Sequence, residues 1–256
     1  MPTPVEESIQ VFLFGPFELN VRNRPVHLPT RKMEALLAYL VLHRKMQNRE
    51  QIASLFWGDS PEELARRSLR TALAALRKEL GQDLIISDRE NLGLNPEFPI
   101  WTDVSTLEAQ AKQILAANGQ AVRGMDLDLY RADLLQGFYE EWVLEEREHY
   151  RNLFVNALSS LAQSLKTRGE YQHAVAVAQK ILSIDPLNER AYQHLIFCYG
   201  ALGNRIEALK SYEEGARRLR DQLGVEPSAA TIALAEQIKK SDVTAREPRG
   251  PIYPFR

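Results

Sequence analysis

Only one cysteine, Cys198, occurs in this chain of 256 residues. A single cysteine excludes an intrachain disulfide and any multi-cysteine zinc or iron–sulfur site, and it fits a reducing compartment. Long apolar runs are missing too, since the longest, at residues 36–42, covers roughly a third of a membrane span. Glu6 and Glu7 stand where a signal peptide carries positive charge. We therefore expect a cytoplasmic protein that does not enter a membrane.

The sequence also lacks the common motifs of catalytic and cofactor sites. It contains no GxxxxGK[ST] phosphate loop, no HExxH and no GxSxG. None of its histidines has a partner at metal-ligand spacing. Cys198 lies among Ile196, Phe197 and Tyr199 in a predicted helix, which favours a buried inert thiol over a nucleophile. We expect no enzyme, no cofactor and no bound metal.

A strong excess of one charge is missing as well. The net charge is −2, and the first 101 residues contain 13 basic and 13 acidic side chains. A uniformly basic nucleic-acid-binding protein is therefore excluded, whereas a local basic surface is not. Hydrophobic residues make up 45% of the chain and charged residues 26%, the balance of a folded protein that is long enough for two domains.

Strand signals begin the chain. Residues 9–14 are apolar apart from Gln10, and residues 17–22 alternate apolar and polar side chains. A turn is predicted at Asn23 and Arg24, followed by a short strand over residues 26–28.

Three helices and a hairpin are predicted next. The first helix begins after an N-cap at Thr30, the second covers residues 48–56 with Leu55 inward, and the third covers residues 61–80 with Ser60 as its cap. A β-hairpin follows, with strands over residues 84–87 and 92–94. This order is typical of a winged helix-turn-helix with an added N-terminal sheet.

Helical periodicity replaces the strand signals beyond residue 103. Gly169 and Gly203 are 34 residues apart, as are Ala174 and Ala208, and this spacing is the period of a tetratricopeptide repeat. The sequence therefore predicts a mainly α fold with a small β component. We expect a winged-helix domain over residues 8–101, an all-α tetratricopeptide-like domain over residues 102–240 and a flexible tail over residues 241–256.

The third predicted helix separates apolar from basic side chains. Its leucines fall on one face, and a row of cations falls on the opposite face. Arginine can donate two hydrogen bonds to a guanine edge or to a phosphate, which fits a helix in the major groove of DNA. A solvated helix with ordinary surface arginines is the alternative, and for the hairpin tip the alternative is a solvent loop that contacts nothing. We predict that this helix and the hairpin tip bind double-stranded DNA through Arg66, Arg67, Arg70, Thr71, Ala74, Arg77, Lys78, Arg89 and Asn91.

Two long segments carry a family resemblance. The segment LPTRKMEALLAYLVLHRKMQNREQIASLFWGDSPEELARRSLRTALAALRKEL resembles the winged helix of bacterial SARP-type activators, a branch of the OmpR/PhoB type. From Tyr130 through LLQGFYEEWVLEERE to QLGVEPS, the chain resembles the bacterial transcriptional activator domain, BTAD, of the same family. The match covers about residues 8–240. One departure is Arg131, since the family usually has a glycine after the tyrosine.

The resemblance implies a sequence-specific transcription activator. Such proteins bind direct repeats as dimers near the −35 element and recruit RNA polymerase, partly through the loop between the second and third helices. Carried over, that loop is residues 57–63, with Asp59, Glu62 and Glu63 as candidate contacts to a sigma factor region and Trp57 as a core anchor. The helical domain is the candidate dimer contact. The alternative is a helical-repeat interaction scaffold whose winged helix binds protein instead of DNA.

Overall fold

The computed structural model describes residues 9–117 and 126–240, so the predicted tail over residues 241–256 lies outside the described residues. These residues form two compact units. The first contains the chain up to Ala109 together with Asp128–Tyr150, and the second contains Gln110–Leu127 together with the chain from Arg151. This division differs from the predicted one, because a segment expected in the helical domain packs in the first unit.

The first unit contains all the described strands. The elements that begin in it are β1 (Ile9–Phe12), β2 (Glu18–Val21), β3 (Arg24–Pro25), α1 (Arg31–Leu42), β4 (Gln47–Asn48), α2 (Arg49–Trp57), α3 (Glu62–Leu80), β5 (Ile85–Ser87), β6 (Asn91–Leu94), β7 (Ile100–Thr102), α4 (Asp103–Ala116) and α5 (Glu141–Thr167). The helices of the second unit are α6 (Tyr171–Ile184), α7 (Glu189–Ala201), α8 (Arg205–Leu223) and α9 (Ala229–Lys240).

Four strands form an N-terminal sheet in the order β3-β2-β1-β7. The pairs within β3-β2-β1 are antiparallel, and β7 pairs with β1 in parallel. The predicted turn lies one residue earlier than expected, because Arg22 and Asn23 both adopt positive φ and Arg24 is already in β3. The predicted strand over residues 26–28 is wrong. Only the Val26 amide continues the ladder, donating to the Leu19 carbonyl at 2.8 Å.

One of the two predicted helix caps is formed, and Asn48, predicted as the first residue of the second helix, is the N-cap of α2. Thr30 Oγ1 accepts from the Met33 amide at 3.3 Å, and Asn48 caps α2 through its side-chain oxygen. Ser60 does not cap α3, because Pro61 occupies the N-cap position without a side-chain bond. Leu55, predicted inward, is 46% exposed.

A second sheet, β4-β6-β5, places the hairpin beside the helices. β4 was not predicted from the sequence, because a strand of two residues gives no periodic signal. It pairs antiparallel with β6, with Gln47 opposite Leu92. The hairpin strands β5 and β6 agree with the prediction to within a residue.

A buried carboxylate fixes the end of β1. Asp103 accepts hydrogen bonds from the amides of Leu13, Phe14 and Val104 at 2.8–3.0 Å, and it is 1% exposed. Burial raises the pKa of Asp103, and the three amide donors oppose that rise. The side chain therefore satisfies two strand-end amides that have no strand partner.

The segment Asp128–Tyr150 docks on the same strand end. The amide of Leu135 donates to the Leu13 carbonyl at 2.7 Å, and the amide of Gly15 donates to the Asp133 carbonyl at 3.1 Å. The predicted helix is absent from residues 129–140, which form an irregular chain held by side chains. Arg147 donates from the first turns of α5 to the carbonyls of Leu134, Leu135 and Phe138 at 3.0–3.2 Å.

The second unit is built of helices at the predicted 34-residue spacing. Gly169 and Gly203 adopt positive φ two residues after the ends of α5 and α7, where glycine ends a helix without steric cost. Ala174 and Ala208 are fully buried. Together with the first unit this confirms the predicted fold class. Within the described residues, no helix has the length and apolar character needed to cross a membrane.

Replacing Asp103 with alanine should destabilise the first unit. The change leaves the buried amides of Leu13 and Phe14 without an acceptor, which should lower the free energy of unfolding by about 3 kcal/mol. Urea denaturation of the full chain measures this. The exposed Asp83→Ala serves as the control. Equal midpoints for the two variants would show that Asp103 does not hold this strand end.

The stability of the second unit should depend on the charge of His194. This residue is 3% exposed, and neither ring nitrogen has a hydrogen-bond partner among the described residues. Burial, with the positive charges of Lys166 and Arg190, lowers the pKa of His194 to about 4 from an ordinary value of 6.5. Between these values the unfolded chain binds the proton more strongly, so stability falls as the pH falls.

We expect His194 to account for about 2–3 kcal/mol of lost stability between pH 7 and pH 4. Because carboxylates titrate in the same range, the informative quantity is the difference between variants. Urea midpoints of His194→Leu should decline less over this range than those of the wild type. The exposed His173→Leu should decline like the wild type. Identical pH profiles for all three proteins would refute the role of His194.

Candidate nucleic-acid interface

One face of α3 is locked into the core of the first unit. Leu69, Leu73 and Leu76 are each no more than 2% exposed, with Ala65 and Ala72 buried beside them. A buried leucine contributes about 1.5–3 kcal/mol relative to an exposed one, so this row fixes the rotation of the helix about its axis. The opposite face is therefore held outward.

That outward face carries three cations without partners. Arg67, Arg70 and Lys78 are exposed, and none has an ion-pair or side-chain hydrogen-bond partner among the described residues. Thr71 and Ala74 lie exposed between them, and the Thr71 hydroxyl donates to the Arg67 carbonyl at 3.1 Å. Small side chains between the cations leave room for the helix to approach a base edge closely.

Two predicted contacts have other partners within the first unit. The Arg66 guanidinium lies 2.6 Å from the Glu50 carboxylate and is also hydrogen-bonded to Glu62, so two carboxylates compensate its charge. The Arg77 guanidinium donates to the Ile85 carbonyl at 2.9 Å and to Ser87 Oγ at 3.0 Å. Arg77 therefore ties the hairpin to α3. The Glu50 partner lies 16 positions away in sequence, and no motif marks it.

The hairpin tip is a rigid turn with one cation. Asp88 Oδ1 accepts from the amides of Glu90 and Asn91 at 2.8 and 2.7 Å, and these bonds hold the pKa of Asp88 below its usual value. The tip residues are Arg89 and Glu90, both exposed. Asn91 is not at the tip as expected, because it is the first residue of β6 and is half-buried.

A groove of about 860 Å³ lies between the start of α2, the middle of α3 and the hairpin. Acidic side chains lie beside two of its four arginines, Glu50 beside Arg66 and Asp88 near Arg49. The remaining positive charge comes from Arg70 and Arg89. The residues that line it are Asn48, Arg49, Glu50, Arg66, Leu69, Arg70, Asp88, Arg89 and Glu90.

The turn between α2 and α3 is shorter than predicted and covers residues 58–61. A Cβ atom at Gly58 would lie 2.6 Å from the Ser54 carbonyl oxygen, which explains why a glycine stands between Trp57 and Asp59. Asp59 is exposed, whereas Glu62 and Glu63 belong to the first turn of α3. Glu62 is paired with Arg66, which leaves Asp59 and Glu63 as the acids without a described partner. Trp57, expected in the core, is half-exposed.

Comparison with known families gives a match over the second half of the chain. The profile described as the bacterial transcriptional activator domain matches residues 102–239. Transcriptional regulatory protein MoaR1 of Mycobacterium tuberculosis is 26% identical over 269 residues, covering 95% of this chain and 84% of MoaR1. Regulatory protein AfsR of Streptomyces griseus is 26% identical, covering 85% of this chain and 23% of AfsR.

A solved structure shares the fold. Mycobacterium tuberculosis EmbR, determined in complex with a low-affinity phosphopeptide, superposes with a TM-score of 0.71 at 21% identity. The superposition covers 91% of this chain and 65% of EmbR. At this identity the likeness concerns the fold.

The unpaired cations of α3, Arg67, Arg70 and Lys78, should make DNA binding depend on the salt concentration. If α3 binds DNA, Arg67→Gln and Lys78→Gln should each reduce the slope of log affinity against log salt by about 1, because each would remove one phosphate contact. Fluorescence anisotropy with a promoter duplex at several KCl concentrations measures the slope.

The control is Arg66→Gln combined with Glu62→Gln, which removes one cation and one anion that already neutralise each other. This double variant should retain the wild-type slope. A slope reduced as much as in Arg67→Gln would mean that Arg66 leaves its carboxylates to bind a phosphate. Unchanged slopes in Arg67→Gln and Lys78→Gln would place the DNA elsewhere.

Proposed function

The chain belongs to the family of the bacterial transcriptional activator domain, and from this premise we propose that it is a sequence-specific DNA-binding activator of transcription. The family membership confirms the resemblance to SARP-type activators. Its curated relatives are transcriptional regulatory proteins, so regulation of transcription is the general function of this chain. DNA binding, activation and the residues involved constitute the proposal.

The proposal rests on the three exposed cations of α3, Arg67, Arg70 and Lys78, which we call the basic row. Three cations on a face held outward by buried leucines have no partner within the described chain, which leaves them available to an anionic partner. Arg70 lies at the centre of the row and lines the groove, so we assign it to a base edge. Arg67 and Lys78 bind phosphates on either side, and Arg89 reaches the neighbouring minor groove.

Placement on the promoter follows from the family resemblance. The protein binds direct repeats as a dimer near the −35 element, with the helical domain as the dimer contact. It acts in the cytoplasm and recruits RNA polymerase by presenting Asp59 and Glu63 to a basic region of the sigma factor. Carboxylates beside DNA repel phosphates and attract basic protein surfaces, which supports this division between the turn and α3.

The rival function is a scaffold whose winged helix binds protein. Three uncompensated cations along one helix face match the repeated negative charges of a phosphate backbone, whereas a protein-binding surface does not require them. The basic row therefore favours DNA, and binding that does not respond to salt would favour the scaffold.

Activation should be separable from DNA binding at the turn between α2 and α3. In Asp59→Ala with Glu63→Ala, operator affinity should stay constant or rise slightly, because two anions near the DNA are removed. Run-off transcription from the same template should fall, because the basic polymerase surface loses its partners. Glu62 is left intact to keep its pair with Arg66. Footprinting and transcription on one template provide the comparison.

The matched control is Asp83→Ala with Glu97→Ala, which removes two exposed acids from the same unit. It should leave both operator affinity and transcription unchanged. Loss of affinity and transcription together in the Asp59 and Glu63 variant would show that these acids support the fold alone. Loss of neither would place the polymerase contact on another surface.

A further inference from the structure

The end of α2 is held from two sides. The Lys32 ammonium, on α1, donates to the Phe56 carbonyl at 2.8 Å and lies 5.8 Å from the centre of the Trp57 ring. The last carbonyls of a helix have no partner within it and form the negative end of its dipole. Lys32 therefore caps α2 with a cation, directly before the turn over residues 58–61.

On the other side, Trp142 of α5 packs against the same helix end. Its ring lies 6.1 Å from the Phe56 ring and 5.3 Å from the Tyr39 ring, at 90° to the latter. Phe56 in turn contacts Tyr39 and Trp57 at 5.7 and 5.9 Å. Trp142 and Phe56 are each 8% exposed. The four rings form one cluster, which we call the aromatic cluster, and it ends at Trp57, the last residue of α2 before the turn.

A second contact fixes α5 against α1 one turn further along. Glu146 lies 3.4 Å from His43 Nε2, and the His43 ring stacks on Tyr39 at 4.1 Å. The position of Trp142 is therefore also set by the contact of Glu146 with His43, and not by its packing against Phe56 alone. Its residue number places it in the part of the chain that the activator-domain profile matches.

We infer that Trp142, together with Lys32, is a positioning residue for the turn between α2 and α3. Trp142 of the activator domain thus supports the segment that we propose to face polymerase. Because the contacts of Trp142 and Lys32 are with Tyr39, Phe56 and Trp57, we expect DNA binding through α3 to be retained without them. Only the expected effect of Trp142 on transcription rests on the proposed function. Its effect on the turn itself can be measured separately.

Trp57 reports directly on the turn. In a chain with Trp101→Phe and Trp142→Phe, Trp57 is the remaining tryptophan of the three in the sequence. Phenylalanine keeps an aromatic ring at residue 142, so the acrylamide quenching constant of the half-exposed Trp57 in this reference chain is the baseline for the other variants. Trp101→Phe with Trp142→Ala should show a larger quenching constant, because the ring that supports Phe56 is gone.

Val143→Ala added to the reference chain is the matched control. Val143 is fully buried next to Trp142 on α5 but lies outside the aromatic cluster. The control should lose stability and keep the quenching constant of the reference. Lys32→Met in the reference chain is a second test, because Lys32 is exposed and its loss does not open the core. It should also raise quenching of Trp57.

Transcription and operator affinity complete the test. In Trp142→Ala, run-off transcription should fall about tenfold, equivalent to about 1.4 kcal/mol, with operator affinity unchanged. Trp142→Phe should restore it. Raised quenching with normal transcription would retain the positioning role and refute the polymerase contact. The inference would be overturned if neither Trp142→Ala nor Lys32→Met raised the quenching constant of Trp57. It would also be overturned if Val143→Ala raised that constant as much as Trp142→Ala does.

Discussion

The arrangement of the first unit depends on the two faces of α3. One face is buried through its leucines, and the opposite face carries exposed cations. Arg67 and Arg70 stand three residues apart and repel each other, but a like-charge pair at this helix spacing costs only about 0.2–0.5 kcal/mol, and Lys78 lies two turns further on. The buried leucines on the other face each contribute about 1.5–3 kcal/mol. Burial therefore dominates, and the helix tolerates an uncompensated basic face. Because these cations have no partner among residues 9–117 and 126–240, their face supports the binding surface that we propose.

The other contacts of the unit preserve this arrangement. Arg77 binds the hairpin to α3, and Arg66 binds α2 to it through Glu50. Asp103 and Arg147 satisfy buried backbone groups where β1 meets the segment Asp128–Tyr150. The family profile begins at residue 102, yet residues of that profile complete the first unit. Residues before and after position 102 thus share one compact unit, and no simple linker separates them.

Sequence reasoning succeeded where the signal was local. The two faces of α3, the Thr30 cap and the glycines at 169 and 203 follow from periodicity and backbone sterics within a few residues. It failed where the signal was distant in sequence. The Arg66–Glu50 pair spans 16 residues, and the pairing of β7 with β1 spans the whole winged helix. The exposure of Leu55 and the unused cap at Ser60 depend on tertiary packing, which overrides helix periodicity and cap propensity.

The central claim is that α3 reads DNA sequence, and binding-site selection tests it most directly. Wild type and Arg70→Ala would each be used to select duplexes from a randomised library. We expect Arg70→Ala to select the same motif as the wild type, with the base preference relaxed at one position in each half-site, because we assign Arg70 to one base edge. An identical motif for both proteins would contradict that assignment. No enrichment of any motif by the wild type would contradict the claim itself.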